Sequence, residues 1–198
     1  MKVDTSTITK IRISDVHGLG PVTVFIEDHG VRAKSGDHET CAGNLTISCY
    51  GQSWTCYWGS MGPSTVAQFV TSCDADYILN CLSRGLSGTQ FSGNALVELA
   101  SKRVIDRRRR RNVEDWEDCY ELSKHDARSL YDQIDELGFV DAPAGCMAHD
   151  ELLSSIFGGD WGYQVSEGAV EPNPDYTYLK RIVEAVQQAL ASQLPVAA

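Results

Sequence analysis

No apolar run in these 198 residues approaches the roughly 20 that a membrane-spanning helix needs, so a bilayer-spanning helical protein is excluded. The first ten residues, MKVDTSTITK, lack the apolar core of a secretion signal, and we expect a cytoplasmic protein. The seven cysteines (Cys41, Cys49, Cys56, Cys73, Cys81, Cys119 and Cys146) are an odd number without a paired CxxC spacing. That argues against a disulfide framework and for reduced thiols. No internal repeat stands out, and no stretch is polar enough to force a second domain. We therefore expect residues 1–198 to form one domain, with a β-sheet part over 1–60 and a mainly helical part over 61–198. The one glycine-rich turn near the N-terminus, DVHGLGP, lacks the spacing and following helix of a phosphate loop.

What the chain does hold is organised around LTISCYGQSWTCYW, Leu45 to Trp58. Apolar and polar residues alternate on both arms, and Gly51-Gln52 suits a two-residue type II′ turn. That turn would pair Cys49 with Trp54, Ile47 with Cys56 and Leu45 with Trp58 on one apolar face. Thr46 with Tyr57 and Ser48 with Thr55 would share the other. A slip of one residue would set apolar against polar, so the pattern constrains the pairing. Ile8–Ser14 and Val22–Glu27 also alternate and are rich in β-branched residues. Asp28–Asn44 reads as a long polar loop. The first 60 residues thus predict about four strands in an antiparallel meander.

After Gly62-Pro63 the period becomes helical. Thr65 and Gln68 have capping-box spacing for a helix to about Ser72, and Asp74 caps a second over Ala75–Ser83. GLSGTQFSG reads as a loop. Asn94 opens a third helix with Leu96, Leu99, Ala100 and Val104 on one face. Ser123–Leu137 and His149–Phe157 follow, GGDWGYQVSEGAVEPNPD reads as an irregular connector, and Asp175 caps a final helix striped by Leu179, Ile182, Val183, Val186 and Leu190. The expectation is an α+β fold: an N-terminal antiparallel sheet of about four strands followed by five or six helices.

CYGQSWTCYWGSMG, TVAQFVTSCDADYILNCLS and EPNPDYTYLKRIVEAVQQAL together resemble a family of small accessory proteins from the early regions of temperate tailed bacteriophages and prophages. That family has no established activity, so the resemblance implies no catalytic residue and no cofactor. It implies a mobile-element gene in a bacterial host cell. Such genes commonly encode anti-defence proteins, including anti-CRISPRs, that bind and inhibit a host protein or ribonucleoprotein complex.

Charge divides the remaining readings. The net charge is −10, yet seven of 17 basic residues lie between Lys102 and Arg111. Outside that segment 10 bases face 26 acids, a balance of −16. The preferred reading is a non-enzymatic interaction protein whose acidic surface meets a basic host partner. Its candidate contacts are Tyr57, on the polar face of the hairpin, and Glu114, Asp115, Glu117 and Asp118. The alternative uses Arg107, Arg108, Arg109, Arg110 and Arg111 as a phosphate-binding patch for nucleic acid. Consecutive helical residues point around the whole cylinder, however, and Arg110–Glu114 and Arg111–Asp115 have ion-pair spacing. The arginines are therefore expected to pair within the chain or across a homodimer. Trp54, Trp58 and Tyr57 offer aromatic surface for stacking bases, although the two tryptophans fall on the core face. His29, His38 and Cys41 are weak metal candidates, since only the last two have ligand-pair spacing.

Overall fold

Alternation in VTVFIE and LTISC places one set of β-branched and leucine side chains on a single sheet face, and the chain folds to bury it. The computed structural model describes residue 3 and residues 5–35, 38–109 and 122–194. Strands β1 (Thr9–Ile13), β2 (Val22–Ser35), β3 (His38–Cys49) and β4 (Gln52–Trp58) form an antiparallel sheet in that order. Ile26 with Leu45 and Cys56, and Val24 with Ile47 and Trp54, make rungs of the apolar face. The opposite face carries Lys10, Phe25, Thr46 and Thr55 in one rung and Arg12, Thr23, Ser48 and Ser53 in the next.

The hairpin keeps its expected faces but not its expected register. Ile47 lies opposite Trp54, Leu45 opposite Cys56 and Cys49 opposite Gln52, a shift of two residues. The turn residues are Tyr50 and Gly51, with φ of 47° and 81°. Both are positive, as a type I′ turn requires, and its twist matches that of the strands. Tyr50 is not a residue that favours this conformation. Its ring lies over Gly20, close enough that a Cβ there would overlap it. A two-residue shift leaves the alternation intact, which is why the pattern could not detect it.

The described residues of Asp28–Asn44 are strand and not loop. β2 continues to Ser35 and β3 starts at His38, the two paired as a ribbon with register shifts at Asp28/Gly30 and Val31/Ala33. Residues 28–34 are exposed throughout, so no buried face imposes alternation on the sequence. Lys34 and Glu39 pair across the ribbon at 2.9 Å.

Helix α1 (Val66–Ser72) has the capping box formed by Thr65 and Gln68, and α2 (Ala75–Leu82) is capped by Asp74. The Val66 amide also donates to Asp28 Oδ1 at 2.7 Å, tying α1 to β2. With α7 (Pro174–Gln193) these helices cover the apolar sheet face. α7 begins on Pro174, so Asp175 sits inside the first turn and not at the cap. Residues 1–86 and 174–198 make up this first compact unit.

Residues 87–173 form a second unit with its own core of Leu96, Ala100, Val104, Ile134, Leu137, Leu153, Ile156 and Phe157. Its elements are β5 (Thr89–Phe91), α3 (Gly93–Arg109), α4 (Lys124–Tyr131), α5 (Asp150–Phe157), α6 (Trp161–Gly168) and β6 (Val170–Pro172). Three expectations need correcting here. GLSGTQFSG contains β5, which pairs with β6 from the expected connector. Three-residue strands are too short to show a period, and their partner is distant in sequence. The connector also holds α6, whose glycine-rich sequence is overridden by burial of Val165 and a 2.8 Å hydrogen bond from Trp161 Nε1 to Asp150. Finally, the helix from Ser123 stops at Tyr131. The Asp132 amide reaches both Arg128 O and Leu130 O, and the chain continues as a 3-10 turn over Ile134–Phe139. Ile134 and Leu137 are buried all the same. The described residues thus contain seven α-helices in an α+β fold.

Face assignment in the hairpin has a direct check. Ile47 is fully buried, whereas Thr46 sits on the open face with its hydroxyl 2.9 Å from that of Thr55. Ile47→Ala is expected to cost about 2–5 kcal/mol in chemical denaturation. Thr46→Ala should cost about 1 kcal/mol or less. Equal losses at the two positions would overturn the assignment.

Candidate functional site in the second unit

The arginine run begins on a helix whose buried positions are Gly93, Leu96, Ala100, Val104 and Arg107. Spacings of three, four, four and three place Arg107 on the core face, and it is 8% exposed. Its Nη1 donates to the carbonyls of Ser155 (2.5 Å) and Ile156 (3.1 Å) in the last turn of α5. Carbonyls at a helix C-terminus lack partners within the helix and carry partial negative charge, so a guanidinium suits them. Arg107 is therefore a structural pin between α3 and α5. Arg108 and Arg109 are exposed.

Those two arginines line a cleft of about 330 Å³ with Val104 and Ile105 of α3 and Lys124, Ala127, Arg128 and Tyr131 of α4. The α4 residues recur at three- and four-residue intervals, so they occupy one face of that helix. α4 is fixed at its start by Ser123, whose side chain accepts from the Asp126 amide at 3.1 Å. Arg128 Nε is shared with Asp132 at 3.4 Å. The result is a floor of Val104, Ile105 and Ala127, four cationic side chains and a half-exposed tyrosine. Four basic side chains from two helices thus come together at one cleft. Lys124, Arg128 and Tyr131 were missed in the sequence because they come from a different helix. Their shared helical face was the only available signal. Arg110, Arg111, Glu114, Asp115, Glu117 and Asp118 lie outside the described residues.

Tyr57 is exposed on the open sheet face, as expected, and it has company. The His29 ring lies 5.9 Å from its ring, and Arg32 Nη1 donates to its hydroxyl at 3.3 Å. Asn44 Nδ2 donates to Glu27 at 3.3 Å and lies 3.2 Å from His29 Nε2, which is 3.4 Å from Glu27. Hydrogen bonds from Ser6 and Asn44, with His29 beside it, hold the Glu27 carboxyl below its usual range. This is a satisfied polar network beside a shallow recess of about 170 Å³ lined by Ile8, Phe25, Glu27, Asn44, Thr46 and Thr55.

A family model described as a phage family matches residues 1–192. The chain belongs to this phage family. No curated protein and no solved structure matches it.

In this phage-family chain the weak metal candidates do not converge. Cys41 pairs with Val31, His38 pairs with Ser35 near the end of the ribbon, and His29 is engaged with Glu27 and Asn44. Among the described residues, no three His, Cys, Asp or Glu side chains gather where they could hold a metal. No helix among those residues is long and apolar enough to cross a membrane. The six described cysteines are free thiols. Cys49 packs its sulfur 3.4 Å from the Tyr178 hydroxyl. Burial, and then the neighbouring Cys81, pushes the Cys56 thiol up to about 11.

Two predictions follow from these side chains. Arg107→Ala should destabilise the protein by about 2–4 kcal/mol, because it strands buried carbonyls and empties packed volume. Arg108→Ala and Arg109→Ala should change stability by about 0.5 kcal/mol or less, so equal losses at all three would show that Arg107 is not a pin. The second concerns pH. The unfolded Cys56 thiol ionises near its ordinary value of 9.0 while the folded one keeps its proton to about 11. Stability from this group is complete below pH 9 and is lost as pH rises through 11. Cys56→Ser should flatten that alkaline limb of a denaturation-versus-pH curve; an unchanged limb would show that another group titrates there.

Proposed function

We propose that this phage accessory protein works by binding, without catalysis or a cofactor, and that its partner carries phosphates. The observation that supports this reading is the α3–α4 cleft, where Arg108, Arg109, Lys124 and Arg128 surround an apolar floor. Four cations on two helices suit the spaced charges of a nucleic-acid backbone, free or carried by a host ribonucleoprotein. Inhibition of such a complex, of the anti-defence or anti-CRISPR type, is the outcome we assign to that binding. The acidic remainder of the chain would then keep the protein soluble and confine nucleic acid to one place. This shifts the emphasis away from an acidic surface seeking a basic host protein, since the basic residues are the ones that converge.

The test is fluorescence anisotropy with labelled oligonucleotides across a salt series. Binding should weaken steeply with salt, and replacing Arg108 and Arg109 with alanine should flatten the log–log slope by about two. Absence of binding at about 50 mM salt would overturn the reading. Binding that appears only after Glu114, Asp115, Glu117 and Asp118 are made neutral would show that the arginines are occupied within the chain, and would overturn it too.

A further inference from the structure

We infer that the α3–α4 cleft is selective for single-stranded nucleic acid, with one unpaired base stacked on Tyr131 and the neighbouring phosphates held by Arg108, Arg109 and Lys124; this rests on the binding function proposed above. Tyr131 is the last residue of α4 and is 48% exposed, although it lines the same cleft as the cations. Ile105, 38% exposed, lies in that lining with Ala127 and Val104. An exposed aromatic ring on an apolar floor costs solvation unless a flat, weakly polar surface covers it, and a base is such a surface. A purely electrostatic phosphate site would have no use for either residue.

Shape supports the same choice. About 330 Å³ is at the lower end of the range for small-ligand clefts, room for a single nucleotide. A duplex keeps its base faces stacked and presents a convex ridge of phosphates. Only an unpaired base can lay its face on a side chain within a recess. Of the three aromatic candidates in the hairpin, Tyr57 stands on the open sheet face with His29 and Arg32 and does not line this cleft, and the two tryptophans are packed in the first unit. Trp58 is buried with its ring edge-on to Phe69 at 5.6 Å, and Trp54 is partly buried against the core of the first unit. Stacking falls to a tyrosine that the hairpin motif did not suggest.

The decisive experiment compares single-stranded oligo-U and oligo-dT with the corresponding duplexes, using anisotropy and the full chain. Single strands of either sugar should bind at least about tenfold more tightly than duplex. Tyr131→Ala should weaken single-strand binding by about 5- to 150-fold, the usual worth of one stacked base, and leave the salt slope unchanged. Tyr131→Phe, which keeps the ring, should bind like the parent chain and serves as the control for folding. Duplex binding as tight as single-strand binding, or an unaltered single-strand affinity in Tyr131→Ala, overturns this inference while leaving the phosphate-binding function standing. A change in salt slope with Tyr131→Ala would also overturn it, because the tyrosine would then be positioning cations. No binding to any oligonucleotide overturns both.

Discussion

Leu179, Ile182, Val183, Val186 and Leu190 return late in the chain to bury the sheet face presented by Val22, Val24, Leu45 and Ile47, and the first unit depends on that return. A four-stranded sheet with one apolar face cannot stand in water alone. Two short helices, α1 and α2, begin the cover, and the 20-residue α7 completes it. Polar contacts then fix how α7 lies. Gln187 Nε2 donates to the carbonyls of Val70 (2.9 Å) and Cys73 (2.8 Å) at the end of α1. On α2, Asp76 accepts from Tyr176 at 2.7 Å and pairs with Lys180 at 2.8 Å. Lys180 is the larger cause, and Tyr176 the next, of an Asp76 carboxyl held below its usual range. These exposed pairs add orientation more than energy; the stabilisation comes from the apolar seam.

The second unit uses a charge where the first uses hydrocarbon. Arg107 occupies a core position on α3 and satisfies two carbonyls at the end of α5. Because a helix advances about 100° per residue, that commitment turns Arg108 and Arg109 away from the core. The described members of this run are thereby divided into a structural one, Arg107, and two exposed ones that line a cleft. Charge density in sequence is thus a poor guide to charge density in space, and a chain with net charge −10 can still present a concentrated cationic recess.

Much of the architecture was legible because it depends on local periods and caps. Alternation over Val22–Glu27 and Leu45–Trp58 identified the strands and their faces, and Thr65 with Gln68 and Asp74 marked two helix starts that form as expected. The stripe on α7 was clear for the same reason. Legibility failed where no buried face writes a pattern, as along the exposed β2–β3 ribbon, or where an element is too short to show one, as in β5 and β6. It failed also where two conformations satisfy one pattern: Ile134 and Leu137 are buried equally well on a 3-10 turn as on the helix expected there.

The site divides along the same line. The sequence by itself determined the sheet faces, the exposed Tyr57, the α+β class and the presence of a basic cluster, because each follows from spacing within one segment. Tertiary structure alone decided that Arg107 is buried on α5, that Arg108 and Arg109 meet Lys124, Arg128 and Tyr131, and that the hairpin turns on Tyr50-Gly51. It also decided that Cys56 stands beside Cys81 across 25 residues of chain. The physical reason is common to all of them. Burial and pairing between separate segments depend on which faces meet when helices and strands pack, and a period within one segment says which face is apolar without saying what will cover it.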